Sequence, residues 1–242
     1  LSAVSWKDAL IALARRFDGV PGDKIGAIAG DLCNAESLCA IKDLLQGMGS
    51  SNLDCRQDGA WYDTSSRSGY LFNSDISGID QADALLLVGT MPRHEAPVLN
   101  ARIRKRFVDA GRGGFPIGMI GTPTADMTYD VSVLGSGPDT LAELLDGQHA
   151  FAEVLKNAKK PMIILGHAAL TRRDAPAIYA VCRDLAHACG AITPQWQGLN
   201  ILHTAASRVG ALDLGFVPGP HGCDAASMLR GGVEILWLLG SR

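Results

Sequence analysis

The sequence is poor in charged residues, and this scarcity narrows the classes of protein to which it can belong. Aspartate, glutamate, lysine and arginine make up 19% of the 242 residues, against roughly 25% in an average globular protein. The formal net charge is −3, and the basic residues are spread along the chain instead of being gathered in one block. Such a chain offers no broad positive field to nucleic acid, so nucleic-acid binding is disfavoured.

Cysteine pairs of the kind that bind metal are also missing. None of the six cysteines forms a C-x-x-C pair or a spacing typical of a zinc site or an iron–sulfur cluster. They are Cys33, Cys39, Cys55, Cys182, Cys189 and Cys223. We therefore expect reduced thiols in a cytosolic protein, no metal site, and an ordinary, unligated thiol at Cys55.

Long apolar runs are absent too. No run approaches the roughly 18 residues of a membrane-spanning helix, and no charged-then-apolar leader opens the chain, so we expect no direct membrane insertion. The first residue is Leu1 rather than methionine, and residues 235–242 have the pattern of a core strand that stops where a helix should follow. Both ends suggest a piece of a longer polypeptide.

Glycine, by contrast, is plentiful, and it recurs at the ends of short apolar runs. These runs are 25–30, 84–89, 116–121, 162–166 and 235–240. Because they lack polar alternation, they predict strands that are covered on both faces, as in parallel sheets. The repetition indicates that Gly89, Gly121, Gly166 and Gly240 are architectural and let the chain leave each strand tightly.

Helical stretches separate these strands. They lie at about 34–48, 94–110, 139–157 and 172–189, after an amphipathic helix that Ser5 caps. The alternation predicts a doubly wound α/β fold, with mainly parallel sheets and helices on both faces. The length suits two Rossmann-like lobes, at residues 1–147 and 148–242, the second truncated at its C-terminus. Residues 50–80 lack helical periodicity, and we expect this polar segment to serve a function or to be held by a neighbour.

Two strand-to-helix junctions are candidate cofactor-binding sites. Gly135, Gly137 and Asp139 belong to a Gly-Ser-Gly-Pro-Asp segment that follows an apolar run and opens a helix, where an anion nest could form; the alternative is a simple turn with Asp139 near the helix N-cap. Thr90 and Arg93 follow another strand and could hold a phosphate, or they could serve structure alone.

No pattern of catalytic residues or metal ligands stands out. The six histidines show no H-E-x-x-H spacing, and the chain has no G-x-S-x-G nucleophile turn. The basic stretch 102–106 is short and isolated, which favours a solvated or partner-facing helix surface.

The order of the segments resembles the molybdopterin oxidoreductase superfamily, and within it the large iron–sulfur subunit of respiratory complex I, an NADH:quinone oxidoreductase. Segments 5–10, 34–36 and 52–54 resemble the first helices and loop of the superfamily. The most specific stretch is 79–104, which is similar to the complex I subunit rather than to a formate dehydrogenase or nitrate reductase. Segments 160–166, 195–203 and 209–216 agree, so the resemblance spans nearly the whole chain.

The resemblance implies formate dehydrogenase/DMSO reductase-like domains, but it also contains a departure from the catalytic pattern. Active members carry a molybdenum-ligating cysteine, selenocysteine or serine a few residues past the Asn-x-Asp segment. By rough register Ala60 stands at that position, and Cys55 lies too early. The resemblance therefore implies no cofactor in this chain, with the iron–sulfur clusters of the parent subunit in N-terminal regions outside it.

Two functions follow from this resemblance. The first is a non-catalytic scaffold that supports the electron-transferring hydrophilic arm. Its partners would be the other complex I subunits and the rest of its own subunit, at the cytoplasmic face of the bacterial inner membrane. The alternative is a molybdopterin- or nucleotide-binding oxidoreductase module, with Thr90, Arg93 and the 135–139 turn as its cofactor contacts.

Overall fold

Helices and strands alternate in the computed structural model, which describes residues 2–123 and 125–241. The strands are β1 (Ile25–Ala29), β2 (Asn52–Asp54), β3 (Ala84–Val88), β4 (Ile117–Ile120), β5 (Ser132–Gly135), β6 (Pro161–Leu165), β7 (Ile192–Thr193), β8 (Trp196–Gln197), β9 (Leu199–Ile201) and β10 (Ile235–Leu239). The α-helices are α1 (Trp6–Phe17), α2 (Ala35–Gly47), α3 (Pro92–Glu95), α4 (Pro97–Ala110), α5 (Asp139–Leu145), α6 (Phe151–Asn157), α7 (His167–Leu170), α8 (Ala175–Ala188), α9 (Arg208–Asp213) and α10 (Ala225–Ser227). Within the described ranges no helix combines the length and apolarity that crossing a membrane requires.

The chain forms two compact units, which divide it differently from the predicted lobes. Unit 1 comprises Leu1–Gly59 and Ala205–Arg242, and unit 2 comprises Ala60–Thr204. The predicted boundary at 147/148 lies inside unit 2, between α5 and α6. The physical reason is strand pairing, since β10 pairs with β1 and so joins the last part of the chain to the first. The chain leaves unit 1 within the polar segment 50–80, a role that composition alone does not reveal.

Unit 2 contains a five-stranded parallel sheet in the order β5-β4-β3-β6-β9. Every residue of β3, β4 and β6 is buried, as expected of strands covered on both faces. Leu85, Leu87 and Ile164 of the sheet pack with Ile103 of α4 and with Phe115 in one core cluster. This parallel sheet with its surrounding helices confirms the predicted doubly wound α/β class.

Two of the predicted helices of unit 2 are each broken into two. The stretch 94–110 contains α3 and α4, which meet at Ala96 because Pro97 starts a new helix at its first position. The stretch 139–157 contains α5 and α6, which are separated by a turn in which Gly147 has a φ of +72°. An unbroken apolar period therefore did not guarantee an unbroken helix.

Unit 1 contains a smaller parallel sheet in the order β10-β1-β2. The central strand β1 is fully buried, whereas β10 is only partly buried. The short strand β2 buries Asn52, whose amide donates to the carbonyl oxygens of Asp23 and Ile25 at 2.9 Å. The Ser5 cap predicted for α1 is confirmed, since its hydroxyl accepts from the Asp8 amide at 3.2 Å.

Residues 72–74 of the polar segment 50–80 are held by the edge strand β9 of unit 2. Phe72 forms an antiparallel bridge with Asn200. The side chain of Asn73 donates to the Leu199 carbonyl at 2.8 Å, and the Ser74 amide donates to the Asn200 side chain at 2.9 Å. The neighbour that was expected for this segment is therefore a strand of the same chain.

Candidate functional site

The carboxyl ends of the strands in unit 2 are the natural place for a ligand. From β3 the chain adds β4 and β5 on one side of this strand. It then adds β6 and β9 on the other side of β3. The switch point therefore lies between β3 and β6. In open α/β sheets, ligands bind in the crevice outside the carboxyl ends of the strands at such a point.

Two glycines pack closely against their neighbours at the switch point. Gly89 leaves β3 with a φ of +56°, and a Cβ on it would stand 2.6 Å from the Cβ of Ala169. A Cβ on Gly166, which follows β6, would overlap the side chain of Thr90. These close approaches support the architectural role that we predicted for Gly89 and Gly166.

A cavity of about 230 Å³ borders the switch point. Its walls are strand ends and turns, together with α5, α7 and α8. The lining residues are Val88, Gly89, Ile120, Gly121, Thr122, Ser136, Gly137, Pro138, Leu141, Ala168, Ala169, Arg172 and Ile178. The volume is below the roughly 300–1,000 Å³ of usual small-molecule sites, so the cavity suits only a small ligand.

Only part of the predicted anion nest at 135–139 lies in the cavity wall, and another part packs against the protein. Gly137 lies in the cavity wall, whereas a Cβ on Gly135 would overlap the hydroxyl of Thr140. Asp139 is exposed and begins α5. The Leu141 amide donates to the Pro138 carbonyl at 2.9 Å, so part of this segment is the tight turn that was the alternative interpretation.

Thr90 and Arg93 are bonded to protein acceptors. The Thr90 hydroxyl donates to the Glu95 carboxylate at 2.9 Å, and the Met91 amide donates to the other oxygen of that carboxylate at 2.7 Å. Arg93 donates to the backbone carbonyl of Asp126, and its guanidinium lies 3.7 Å from the Asp126 carboxylate. A phosphate at Thr90 would meet the negative charge of Glu95, so this arrangement disfavours the anion site that the spacing suggested.

Arg172 brings a positive charge to the mouth of the 230 Å³ cavity, but a neighbouring carboxylate offsets it. The guanidinium donates to both oxygens of Asp174, at 2.7 and 2.8 Å. The hydrogen bond from Arg172 lowers the pKa of the Asp174 carboxyl. A bidentate pair of this kind leaves little net field for an anionic ligand.

Unit 1 has its own group of polar residues at the carboxyl ends of its strands, and sequence reasoning missed it. Asp31 and Gln57 line a cavity of about 210 Å³. The buried Arg208 guanidinium lies 3.1 Å from the Asp58 carboxylate and 3.6 Å from that of Asp31. The sequence did contain a signal for this group, since Asp31 directly follows Gly30, the glycine after β1.

Asp54, at the end of β2, is also fully engaged. Its carboxylate accepts from the Arg56 amide and the Arg56 Nε, both at 2.9 Å, and from the Ala225 amide at 3.0 Å. Asp54 is buried, and a buried carboxylate is tolerated when it is paired and hydrogen-bonded in this way. The two charged groups therefore hold β2 and α10 together instead of facing a ligand.

Cys55 and Ala60, the two residues that the resemblance compares with a molybdenum ligand, are both buried. Cys55 follows β2 as a buried residue whose amide donates to the Phe216 carbonyl at 3.1 Å. Burial raises the pKa of the Cys55 thiol to about 12. The side chain of Ala60 is a buried methyl group. Within residues 2–123 and 125–241, no three His, Cys, Asp or Glu side chains are grouped as metal ligands.

Known proteins resemble this chain in sequence and in fold. The family model described as Molybdopterin oxidoreductase matches residues 1–242. The chain is 45% identical over 221 residues to the mitochondrial NADH dehydrogenase (ubiquinone) iron-sulfur protein 1 of Solanum tuberosum, covering 91% of this chain and 29% of that protein. It is 37% identical over 241 residues to an NADH-quinone oxidoreductase subunit of Rickettsia bellii, covering 100% of this chain and 34% of that protein. The chain thus spans about a third of the length of these relatives.

A solved structure supports the fold alone. The X-ray structure of the formyltransferase/hydrolase complex from Methylorubrum extorquens, determined with methylofuran, contains a chain that aligns with a TM-score of 0.65 at 17% identity. The alignment covers 98% of this chain and 74% of that one. At this identity the match shows a shared fold and carries no information on the reaction or ligand of this chain.

Proposed function

The chain belongs to the molybdopterin oxidoreductase family, and from this premise we propose that it is a non-catalytic scaffold domain of the large iron–sulfur subunit of an NADH:quinone oxidoreductase. The relatives named for that enzyme match nearly all of this chain. Because the chain spans about a third of their length, the electron transfer itself would belong to other parts of the parent subunit. We place its iron–sulfur clusters in those parts, N-terminal to this domain.

One observation carries the non-catalytic assignment: Thr90, Arg93 and Asp54, at the carboxyl ends of the strands, are bonded to groups of the protein itself. In unit 2, the Thr90 hydroxyl donates to the Glu95 carboxylate, and the Arg93 guanidinium donates to the Asp126 carbonyl. In unit 1, Asp54 is satisfied by Arg56 and the Ala225 amide. An active site instead needs polar groups that are held ready for substrate or cofactor.

The donor set of this chain does not fit a molybdopterin cofactor. The residue at the register of the metal ligand is Ala60, whose methyl group cannot coordinate molybdenum. The nearest thiol in sequence, Cys55, is buried with a raised pKa. The loop groups that could meet the pyrophosphate of such a cofactor are bonded to carboxylates, which would repel it.

The surface of α1 supports a role in assembly. This 12-residue helix has no buried residue, although it carries the apolar side chains Trp6, Leu10 and Leu13. Trp6 is 84% exposed. Apolar side chains that share one exposed helix face commonly mark a protein contact. We propose that α1 meets other subunits or the remainder of the parent subunit, at the cytoplasmic face of the inner membrane, without inserting into it or binding nucleic acid.

Cofactor analysis of the purified chain tests the proposal. Molybdenum and tungsten are measured by elemental analysis, and pterin by its fluorescence after oxidation, in the wild type and in Cys55→Ser. The expected result is far less than one metal or pterin per chain in both proteins, with no NADH or formate dehydrogenase turnover above a denatured control. Stoichiometric metal in the wild type that is lost in Cys55→Ser contradicts the scaffold assignment.

The alternative is a cofactor-binding oxidoreductase module, and the 230 Å³ cavity at Gly89, Gly121 and Gly137 is the observation that favours it. A nucleotide or pterin bound there would raise the melting temperature, and the rise would grow with the logarithm of its concentration above the Kd. We expect no rise with GDP or inorganic phosphate. A concentration-dependent rise that Gly137→Leu abolishes would move the assignment to this alternative.

A further inference from the structure

Strand β10 of unit 1 repeats the sequence pattern of strand β3 of unit 2. Residues 84–90 read Ala-Leu-Leu-Leu-Val-Gly-Thr, and residues 235–241 read Ile-Leu-Trp-Leu-Leu-Gly-Ser. An acidic residue precedes each run, and a glycine followed by a hydroxyl residue ends it. The two runs therefore form the same kind of strand and strand exit.

The backbone contacts of the two strands correspond as well. At the start, the Asp83 amide donates to the Lys160 carbonyl at 3.3 Å, and the Glu234 amide donates to the Lys24 carbonyl at 2.8 Å. At the end, the Gly166 amide donates to the Val88 carbonyl at 2.9 Å. The Gly30 amide donates to the Leu239 carbonyl at 2.8 Å in the matching position.

The exits from the two strands share their geometry. Gly89 and Gly240 both have a φ of +56°, which favours glycine. A Cβ on Gly166 would overlap Thr90, and a Cβ on Gly30 would overlap the carbonyl oxygen of Gly240. In each unit, the glycine after the neighbouring strand thus lies directly against the exit loop.

The neighbours of the two strands complete the repeat. In unit 2 the order is β3-β6-β9, with Leu86 opposite Ile163 and Ile163 opposite Leu199. In unit 1 the order is β10-β1-β2, with Trp237 opposite Ala27 and Ala27 opposite Leu53. Three parallel strands of unit 1 therefore match three of the five strands of unit 2.

The outer edge of β10 is where the two units differ. On β3, the amides of Leu85 and Gly89 donate to the carbonyls of Pro116 and Ile120 at 3.0 Å, which holds β4. The matching residues of β10 are Leu236 and Gly240. Among the described residues β10 ends its sheet, and Leu238 is 58% exposed, whereas its counterpart Leu87 is 0% exposed.

We propose that the outer edge of β10 receives an additional parallel strand, supplied by the same polypeptide after residue 242 through a crossover helix that covers Leu238. In unit 2 the strand that occupies this edge follows β3 along the chain through the helices α3 and α4. Parallel neighbours are joined by such crossovers, and parallel strands are normally covered on both faces. Relatives about three times as long as this chain have residues enough to supply the unit. This inference does not depend on the proposed function.

Amide hydrogen exchange tests the proposed strand. The 242-residue chain is compared with the full polypeptide that its gene encodes, and exchange is followed at Leu236 and Leu238, with Leu85 as the internal reference. The expected result is exchange at least about 100-fold slower at Leu236 and Leu238 in the full polypeptide, and unchanged exchange at Leu85.

A gene that encodes nothing after residue 242 overturns the proposal, and so do three exchange results. The first is equal exchange in the two proteins. The second is protection that appears only when another subunit is added, which assigns the edge to that subunit. The third is protection in the 242-residue chain that rises with its own concentration, which assigns the edge to a second copy.

A paired substitution tests the covering helix. Leu238→Lys is compared with Val108→Lys on α4, since Leu238 is 58% and Val108 is 59% exposed in this chain. Both variants should melt within about 1 °C of the 242-residue wild type. In the full polypeptide, Leu238→Lys should lower the melting temperature by at least about 5 °C and Val108→Lys should not. Equal shifts for both variants in the full polypeptide contradict the proposed cover.

Discussion

Strands β3 and β10 have closely similar sequences and exits, yet one is buried at the centre of its sheet and the other is an edge. All five residues of β3 are buried, whereas Leu238 of β10 is exposed. The apolar side chains are alike, so the difference comes from the elements that surround each strand. The comparison teaches that an apolar run predicts a strand reliably but does not tell how many neighbours the strand has in a given chain.

The largest expected contrast is between equivalent leucines of the two strands. Leu87→Ala should lower the free energy of unfolding by about 3 kcal/mol, because it leaves a cavity in a packed core. Leu238→Ala should lower it by less than about 1 kcal/mol, because the side chain is already half in water. Denaturant unfolding of both variants gives the two values. Similar losses would break the comparison by showing that β10 is as well covered as β3.

The ion pairs of the two units form the next contrast. Arg56→Ala should cost about 2–4 kcal/mol, because it leaves the buried Asp54 carboxylate with only the backbone amides of residue 56 and Ala225 and without its cation. Arg93→Ala should cost less than about 0.5 kcal/mol, because Asp126 and Arg93 are exposed. The matched measurement is chemical denaturation at two salt concentrations. An Arg93 effect as large as that of Arg56 would show that the unit 2 pair is structural too.

The glycines that face the exit loops should behave alike in the two units. Gly166→Ala and Gly30→Ala should each lower stability by about 1–3 kcal/mol, because the added Cβ overlaps Thr90 in one unit and the Gly240 carbonyl in the other. Gly137→Ala is the control, since its added Cβ would meet no atom within 4 Å. Thermal melts of the three variants test this. If Gly137→Ala alone destabilised the protein, the turn at the cavity would be the strained position instead.

The smallest expected effect concerns the buried thiol of unit 1. Burial raises the pKa of Cys55 from 9.0 to about 12, so its contribution to stability is complete below pH 9 and is lost as the pH rises toward 12. At pH 8, alkylation of Cys55 should be at least about 100-fold slower than that of the exposed Cys39. Mass spectrometry of timed samples measures both rates. Comparable rates would show that Cys55 is accessible and ionised.

The sequence predicted the long apolar strands well, because burial on both faces leaves a continuous apolar run. It did not identify β2 or β9, which have three residues each and contain the buried Asn52 and Asn200. Asn52 is buried because its amide is bonded to two backbone carbonyls, and no local pattern announces such partners. The helix boundaries at Ala96 and Gly147 were missed for the related reason that one proline or glycine outweighed the apolar period.

The position of the candidate site was predictable from the sequence, but the hydrogen-bond partners of its residues were not. Glycine-ended strands located the carboxyl ends of the sheet, and Gly137 does line the cavity there. Whether Thr90 and Arg93 can bind an anion depends on their hydrogen-bond partners within the protein. The partner of Arg93 is Asp126, which lies 33 residues further along the chain. The contacts of Arg208 with Asp31 and Asp58 join residues that are much further apart in the sequence. Only the structure shows these contacts.

The assembly of the parent complex tests the scaffold claim most directly. Trp6→Asp on α1 is compared with Val98→Asp on α4, since the two side chains are 84% and 82% exposed and neither change should alter the melting of the isolated chain. Each variant is introduced into the parent subunit, and the amount of assembled NADH:quinone oxidoreductase is measured after native separation. We expect Trp6→Asp to reduce assembled complex by at least about fivefold and Val98→Asp to leave it near the wild-type level. Full assembly with Trp6→Asp, at wild-type abundance of the subunit, would contradict the account.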